Sequence, residues 1–271
     1  MTEIRDGQSH ELLKELHILT RDGKLNQDSR RKLKQVYHLY NFIEPLLEKL
    51  EQSGSDFSLV DHGAGKSYLG FILYDLFFKA KKLGHVYGIE TRDDLVEKSK
   101  SLAQKLQFPR MKFLNLSVSD SMSSNLLPGK IEMVTALHAC NTATDDAIKF
   151  GLQKKTKFFV LVPCCQAEVA SVLKQNKSQN HRQNFLTEIW RHPIHTREFG
   201  SHLTNVLRCL QLEANGYKVT VTELVGWEHS MKNELIVAEN IQQKNPLAEE
   251  KLTKILGELG LDVLKSRYLH A

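Results

Sequence analysis

The chain has 271 residues, 41 % of them apolar and 25 % charged, with a formal net charge of +5. That is room for one generous α/β domain with an appendage, and the values exclude a disordered or fibrous chain. The charge excess favours anionic partners but is far from histone-like. The four cysteines, two of them adjacent (Cys164, Cys165), exclude a disulfide scaffold and fit a reducing, cytoplasmic setting. Met1 to Glu11 is polar and lacks the apolar core of a secretion signal. The most apolar stretch, Tyr68 to Phe78, is interrupted by Asp75 and is too short to span a bilayer. A soluble protein without membrane contact is expected.

Residues 1–52 read as an N-terminal helical extension, helical over 10–52, with Asp28 and Ser29 as N-caps. Leu33, Val36, Tyr37, Tyr40, Ile43 and Leu47 recur there at helical spacing, and Pro45 is expected to kink or divide the helix. From Asp56 the pattern becomes short apolar runs alternating with helices. The runs are Phe57–Val60, His85–Ile89, Met111–Leu116, Ile131–Leu137, Lys157–Val162, Tyr217–Leu224 and Asn233–Ala238. The first five are spaced for crossover helices, which predicts βαβ units and a parallel sheet. The last two are eight residues apart, too close for a crossover, and predict an antiparallel hairpin. A Rossmann-like α/β domain over residues 53–240 follows, with residues 166–205 as a polar insertion rich in Gln, Asn, His and Arg. Asn245-Pro246 opens a C-terminal helix expected to run to about Tyr268, within a segment spanning 241–271.

The chemistry starts at Val60-Asp61-His62-Gly63-Ala64-Gly65-Lys66-Ser67, where the first strand turns into a helix. Glycines here let the backbone turn and approach a ligand closely. A phosphate-binding Walker loop needs a further glycine four residues before Gly-Lys-Ser, and Asp61 would repel phosphates. A dinucleotide site wants a third glycine where Tyr68 stands. S-adenosylmethionine is cationic at sulphur and carries an ammonium, so an acid at the strand tip becomes useful. Asp61 is placed to accept from that ammonium, Glu90 from both ribose hydroxyls and Asp120 from the adenine amino group. Gly63, Ala64, Gly65, Tyr68, Leu137 and His138 are expected to complete the cofactor cup. Three unrelated surface acids on an empty sheet are the alternative.

In open α/β sheets the chemistry sits outside the carboxyl ends of the strands. Strand four ends in Leu137-His138-Ala139-Cys140-Asn141 and strand five in Pro163-Cys164-Cys165-Gln166, so these groups are expected beside the methyl group. The helix after strand four has Thr144 or Asp145 as a candidate cap. Four readings of the tips stay open. The polar groups orient a nucleophilic nitrogen or oxygen; a cysteine attacks C6 of a pyrimidine; Cys140, Cys164 and Cys165 bind zinc with His138 or His229, without any C-x-x-C spacing; or the cysteines pack as small residues under the cofactor. Packing is the simplest, and no metal is expected.

Asp61-His62-Gly63-Ala64-Gly65-Lys66, Leu137-His138-Ala139-Cys140, Pro163-Cys164-Cys165 and Glu228-His229-Ser230-Met231-Lys232-Asn233, in that order, resemble a family of class I methyltransferases. The family includes bacterial proteins of undefined substrate. It is related to the methyltransferase domain of the animal glutathione S-transferase C-terminal-domain-containing protein, and more distantly to a tRNA 2′-O-methylase. The resemblance covers roughly residues 30–240. It implies a seven-stranded class I sheet, S-adenosylmethionine binding and methyl transfer, and it supplies no acceptor. Asn141 stands where the Ala-Cys-Asp-Thr-Ala-Thr-Asp form of the strand-four motif has an acid. Gln166 stands where an aromatic or histidine is common.

The expected acceptor-side residues are His138, Asn141, Cys164, Cys165, His229, Lys232 and Asn233. RNA (tRNA or rRNA) is the leading acceptor: in the insertion Lys174, Lys177, Arg182, Arg191 and Arg197 alternate with Phe185, Trp190 and Phe199, cations for phosphates and rings for unpaired bases. A lid helix that buries those rings is the opposing reading. A translation or ribosomal protein is the alternative acceptor, and a non-catalytic cofactor-binding regulator is a third possibility.

Overall fold

The computed structural model describes residues 4–137, 139–163, 166–176, 185–224 and 234–269. Two helices come first, α1 (His10–Glu15) and α2 (Gln27–Gln52). Residues 10–52 are therefore not one helix; His17 and Gly23 take left-handed conformations in the connection. Helix α2 is capped by Asn26, whose side chain accepts from the Ser29 N–H at 2.8 Å, so the expected caps Asp28 and Ser29 lie inside the first turn. It also runs without a break through Pro45. The buried face of Leu39, Ile43, Leu46, Leu47 and Leu50 outweighs the proline's missing hydrogen bond.

The strands are β1 (Ser58–His62), β2 (His85–Glu90), β3 (Met111–Asn115), β4 (Met133–Ala136), β5 (Phe158–Leu161), β6 (Tyr217–Glu223) and β7 (Glu234–Asn240). They form one sheet in the order β3-β2-β1-β4-β5-β7-β6. The first five are parallel to one another, and β7 runs antiparallel to both β5 and β6. The predicted sheet, with its edge hairpin, is the observed one, and it is the class I methyltransferase arrangement.

Alternate residues of each central strand feed opposite faces. Leu59, Met133 and Phe158 join one core, with Phe71 and Ile72 of α3 (Tyr68–Leu76) and the apolar stripe of α2. Val60, Val134 and Phe159 join the other, against Ile148 and Phe150 of α6 (Thr142–Gln153). Between these lie α4 (Asp93–Lys105) and α5 (Val118–Ser123).

A third core stands apart from the sheet. Helix α7 (Glu168–Gln175), the 3₁₀ turn Phe185–Trp190 and α8 (Pro193–Ala214) meet α9 (Pro246–Glu258) and α10 (Lys265–Tyr268). Leu173, Trp190, Leu207, Leu252, Leu256 and Tyr268 fill it. Gly200 makes the α7–α8 approach possible, since a Cβ there would lie 2.7 Å from the Ala170 backbone. The predicted Asn245 cap is present, accepting from the Ala248 N–H at 3.2 Å. The expected single C-terminal helix is divided at Gly260, whose φ of +67° ends α9 and lets the chain fold Tyr268 back into the core.

Candidate active site

Strand order reverses between β1 and β4, which opens a crevice at their carboxyl ends. Gly63 and Gly65 both have positive φ, +65° and +58°. A Cβ on Gly63 would stand 3.1 Å from the Ala139 backbone, so this glycine lets the β1 turn close on the β4 tip. The Ala64 N–H bonds the Ile89 carbonyl at 3.0 Å and the Gly65 N–H bonds Glu90 Oε2 at 2.8 Å, tying the loop to the end of β2. The structure thus brings Asp61, Gly63, Ala64, Gly65 and Glu90 together. Tyr68 opens α3 and, with Leu137, packs against the first core.

Asp61 is buried and accepts from Thr135 Oγ1 across the β1–β4 pair at 2.7 Å. Among the described residues it forms no ion pair. Burial pushes its carboxyl up to about 7, with the Thr135 hydrogen bond opposing only in part. A carboxylate in this state favours an arriving cation, such as an ammonium group.

Glu90 is in the opposite condition. Its Oε1 accepts from the backbone N–H groups of Thr91 and Arg92 at 3.0 and 3.1 Å and from Arg92 Nε at 3.1 Å. Burial raises its carboxyl, but the Arg92 guanidinium and the Arg92 and Gly65 amides outweigh this and hold it below the usual carboxylate range. Arg92 was not anticipated from the sequence, although its place two residues after the strand-end acid was the available signal. Asp120 lies in the first turn of α5, where Ser117 Oγ donates to its Oδ2 at 2.6 Å and accepts from its N–H at 3.0 Å. This reciprocal cap fixes the Asp120 carboxylate at the start of α5.

His62 is buried beneath the loop, edge-on to Phe150 with ring centroids 4.7 Å apart. Burial brings its pKa down to about 3, so the ring is neutral.

At the β4 tip, Asn141 combines φ +54° with ψ −125°, a conformation that costs a non-glycine residue about 1–3 kcal/mol. Two hydrogen bonds hold it there. Its carbonyl accepts from Arg208 Nη2 at 3.0 Å and its Oδ1 accepts from the Ala167 N–H at 3.0 Å. The expected acceptor-side asparagine therefore bridges the β4 and β5 loops. Neither Thr144 nor Asp145 caps α6: the Thr144 hydroxyl donates back to the Ala139 carbonyl, and Asp145 pairs with Arg208 of α8. Cys140 is exposed, while burial pushes Cys209 up to about 12 and leaves it a thiol.

The remaining expected residues, His138, Cys164, Cys165, His229, Lys232 and Asn233, lie outside the described residues, and with them the covalent-cysteine and zinc alternatives. Among the described residues no group of three His, Cys, Asp or Glu could hold a metal. No described helix is long and apolar enough to cross a membrane.

Among the described side chains of the insertion, the rings of Trp190 and Phe199 pack into the third core. Trp190 is 3 % exposed and stacks on Phe199 at 5.2 Å and 8°. Arg191 pairs with Glu188 at 3.2 Å and Arg197 with Glu198 at 2.9 Å. The lid helix that buries its aromatics is the arrangement found. Lys177 and Arg182 lie outside the described residues.

Two curated relatives are glutathione S-transferase C-terminal domain-containing proteins. That of Xenopus laevis is 23 % identical over 239 residues, 81 % of this chain and 36 % of the relative. That of Mus musculus is 23 % identical over 238 residues, 81 % and 35 %. The chain spans about a third of the length of these relatives. Among solved structures, magnesium protoporphyrin IX methyltransferase from Synechocystis PCC 6803 with bound S-adenosylhomocysteine aligns at TM-score 0.43 and 14 % identity, covering 84 % of this chain and 93 % of that one. The N-terminal domain of human METTL16, also with S-adenosylhomocysteine, aligns at 0.44 and 10 % identity, covering 74 % and 69 %. A family described as "Methyltransferase domain" matches residues 31–172, just over half of the sequence. The chain belongs to that family and carries a methyltransferase domain.

Proposed function

We propose that this chain binds S-adenosylmethionine and transfers its methyl group to a nitrogen or oxygen of RNA, either tRNA or rRNA. The observation that supports an RNA acceptor is the placement of exposed cations on the rim of the cofactor crevice. Lys66 lies in the glycine loop itself, and the Arg92 side chain is 64 % exposed above Glu90. Exposed Arg31, Lys32 and Lys34 on α2 and the net charge of +5 add to the attraction for phosphates. The aromatic stacking expected of the insertion is not part of this reading.

The donor supplies an electrophilic methyl group on a cationic sulphur. Asp61 takes the amino-acid ammonium, and the Gly63–Gly65 backbone admits the ligand against the strand ends. Glu90 accepts from the ribose hydroxyls once Arg92 turns outward into solvent, while Asp120, Tyr68 and Leu137 border the adenine side. The acceptor approaches at the tips of β4 and β5, where alignment and a route for one proton are what the protein must provide. His138, Cys164, Cys165, His229, Lys232 and Asn233 are the residues we assign to that side.

The test uses tritiated S-adenosylmethionine with lysate from cells lacking the protein. Label removed by ribonuclease and retained after protease supports the reading. Label removed only by protease overturns it in favour of a protein acceptor. Donor binding without transfer to any component overturns it in favour of a regulator.

A further inference from the structure

Arg208, on α8, is among the largest fully buried side chains of the described residues. Its Nε and Nη2 form a two-pronged pair with Asp145 at 2.7 and 2.9 Å, and the side chains are 0 % and 4 % exposed. Nη2 also reaches the strained Asn141 carbonyl at 3.0 Å, and Nη1 reaches Asn205 Oδ1 at 3.2 Å. Asn205 passes the connection on. Its Oδ1 accepts from Gln166 Nε2 at 3.0 Å, and its Nδ2 donates to Glu234 Oε2, at the start of β7, at 2.7 Å. Gln166 Nε2 bonds the Ser201 carbonyl as well, at 3.1 Å.

One buried guanidinium is thus tied, directly or through Asn205, to the turn after β4, to Gln166 after β5 and to the first residue of β7. A buried ion pair is often dispensable for stability, since well-packed apolar residues of similar volume replace it without loss. Asn141 meanwhile sits in a conformation that persists only when its surroundings impose it.

We propose that Arg208 is a positioning residue for methyl transfer: it fixes the Asn141 turn and, through Asn205, sets the spacing of the β4 tip, Gln166 after β5 and the start of β7. It touches neither donor nor acceptor. The proposal rests on the reading that the acceptor approaches at the β4 and β5 tips.

The test compares wild type with Arg208→Lys, the apolar pair Asp145→Leu/Arg208→Met, and Asn141→Gly. The last is an exposed position where glycine keeps the backbone conformation and loses the bridge to Ala167. S-adenosylhomocysteine affinity by calorimetry is expected to stay within about threefold of wild type in all three, because the hydrogen bonds of Arg208 go to Asp145, Asn141 and Asn205 and not to the glycine loop. The apolar pair is expected to recover the thermal stability that Arg208→Lys loses. Amide exchange in peptides covering 139–146, 166–172 and 234–240 is nonetheless expected to run about tenfold faster in the stability-recovered pair, with 58–70 unchanged. Turnover on bulk RNA is expected to fall by about 100-fold with half-saturation unmoved. In Asn141→Gly the faster exchange is confined to 139–146 and 166–172.

Wild-type exchange at all three segments in the apolar pair overturns the proposal, whatever happens to transfer. So does full turnover in that pair. If the Arg208 variants do not fold, wild-type exchange and turnover in Asn141→Gly overturn it on their own. If wild type labels no RNA, it is the acceptor reading that has failed, and exchange decides the role of Arg208.

Discussion

Replacing Asp61 by asparagine separates the electrostatics of donor binding from the shape of the crevice. Asparagine keeps the volume and can still accept from Thr135, but it carries no charge. In the ligand-free protein burial moves this carboxyl from 3.8 to about 7. Ionising it there costs about 4 kcal/mol more than in the unfolded chain, at about 1.4 kcal/mol per unit. The sign follows from the raised value. Its contribution to stability is fully present below 3.8 and is lost as pH rises through 7. Asp61→Asn should therefore melt higher than wild type at pH 7.5 without ligand, even though it binds worse. An ammonium-bearing ligand requires the ionised form, so wild-type affinity for S-adenosylhomocysteine should weaken by about eightfold between pH 7.5 and pH 6. At pH 7 binding should release about half a proton, read by calorimetry in two buffers of different ionisation enthalpy. The variant should bind more weakly, with a flat profile and no release. Affinity in the wild type that does not change from pH 6 to 7.5, together with no proton release, would refute the reasoning, and wild-type affinity in Asp61→Asn would do so independently.

Glu90→Ala removes an acceptor for two hydroxyls and should weaken S-adenosylhomocysteine binding by about 30-fold or more, measured by the same calorimetry. Gly63→Ala places a methyl group 3.1 Å from the Ala139 backbone at φ +65°. It should cost about 1–2 kcal/mol in thermal denaturation and lower donor affinity as well, whereas unchanged affinity would separate the turn from the site. Arg110 donates to four carbonyls, those of Phe78, Lys81, Leu83 and Gly84. Arg110→Met should lower the melting temperature by about 5–10 °C and leave donor affinity unaltered. Gly200→Val, driven into the Ala170 backbone, should loosen the third core, seen as faster amide exchange in α7 and α9 with the sheet protected.

Alternation along the apolar runs and the length of the gaps between them made the sheet legible, because a parallel strand needs a crossover and a hairpin does not. The same local logic placed the glycine turn beside the acids Asp61 and Glu90. It failed where a long-range contact overrides a local preference. Pro45 reads as a breaker, yet the stripe from Leu39 to Leu50 holds α2 together. Trp190 and Phe199 read equally as base-stacking rings or as core, and only the arrival of α9 and α10 decides that they are core.

The residues by themselves determined which segments become strands, how they are connected and where the glycine turn meets the strand ends, since each of these follows from periodicity and spacing within a few dozen residues. Only the tertiary structure decided the state of the charged groups. Asp61 is lifted toward 7 by burial and Glu90 is held down by Arg92, although both read as strand-end acids. Arg208, 63 residues after Asp145, becomes the anchor of the β4 and β5 tips. Charge state and pairing depend on which groups exclude water from one another, and folding brings those groups together from distant parts of the chain.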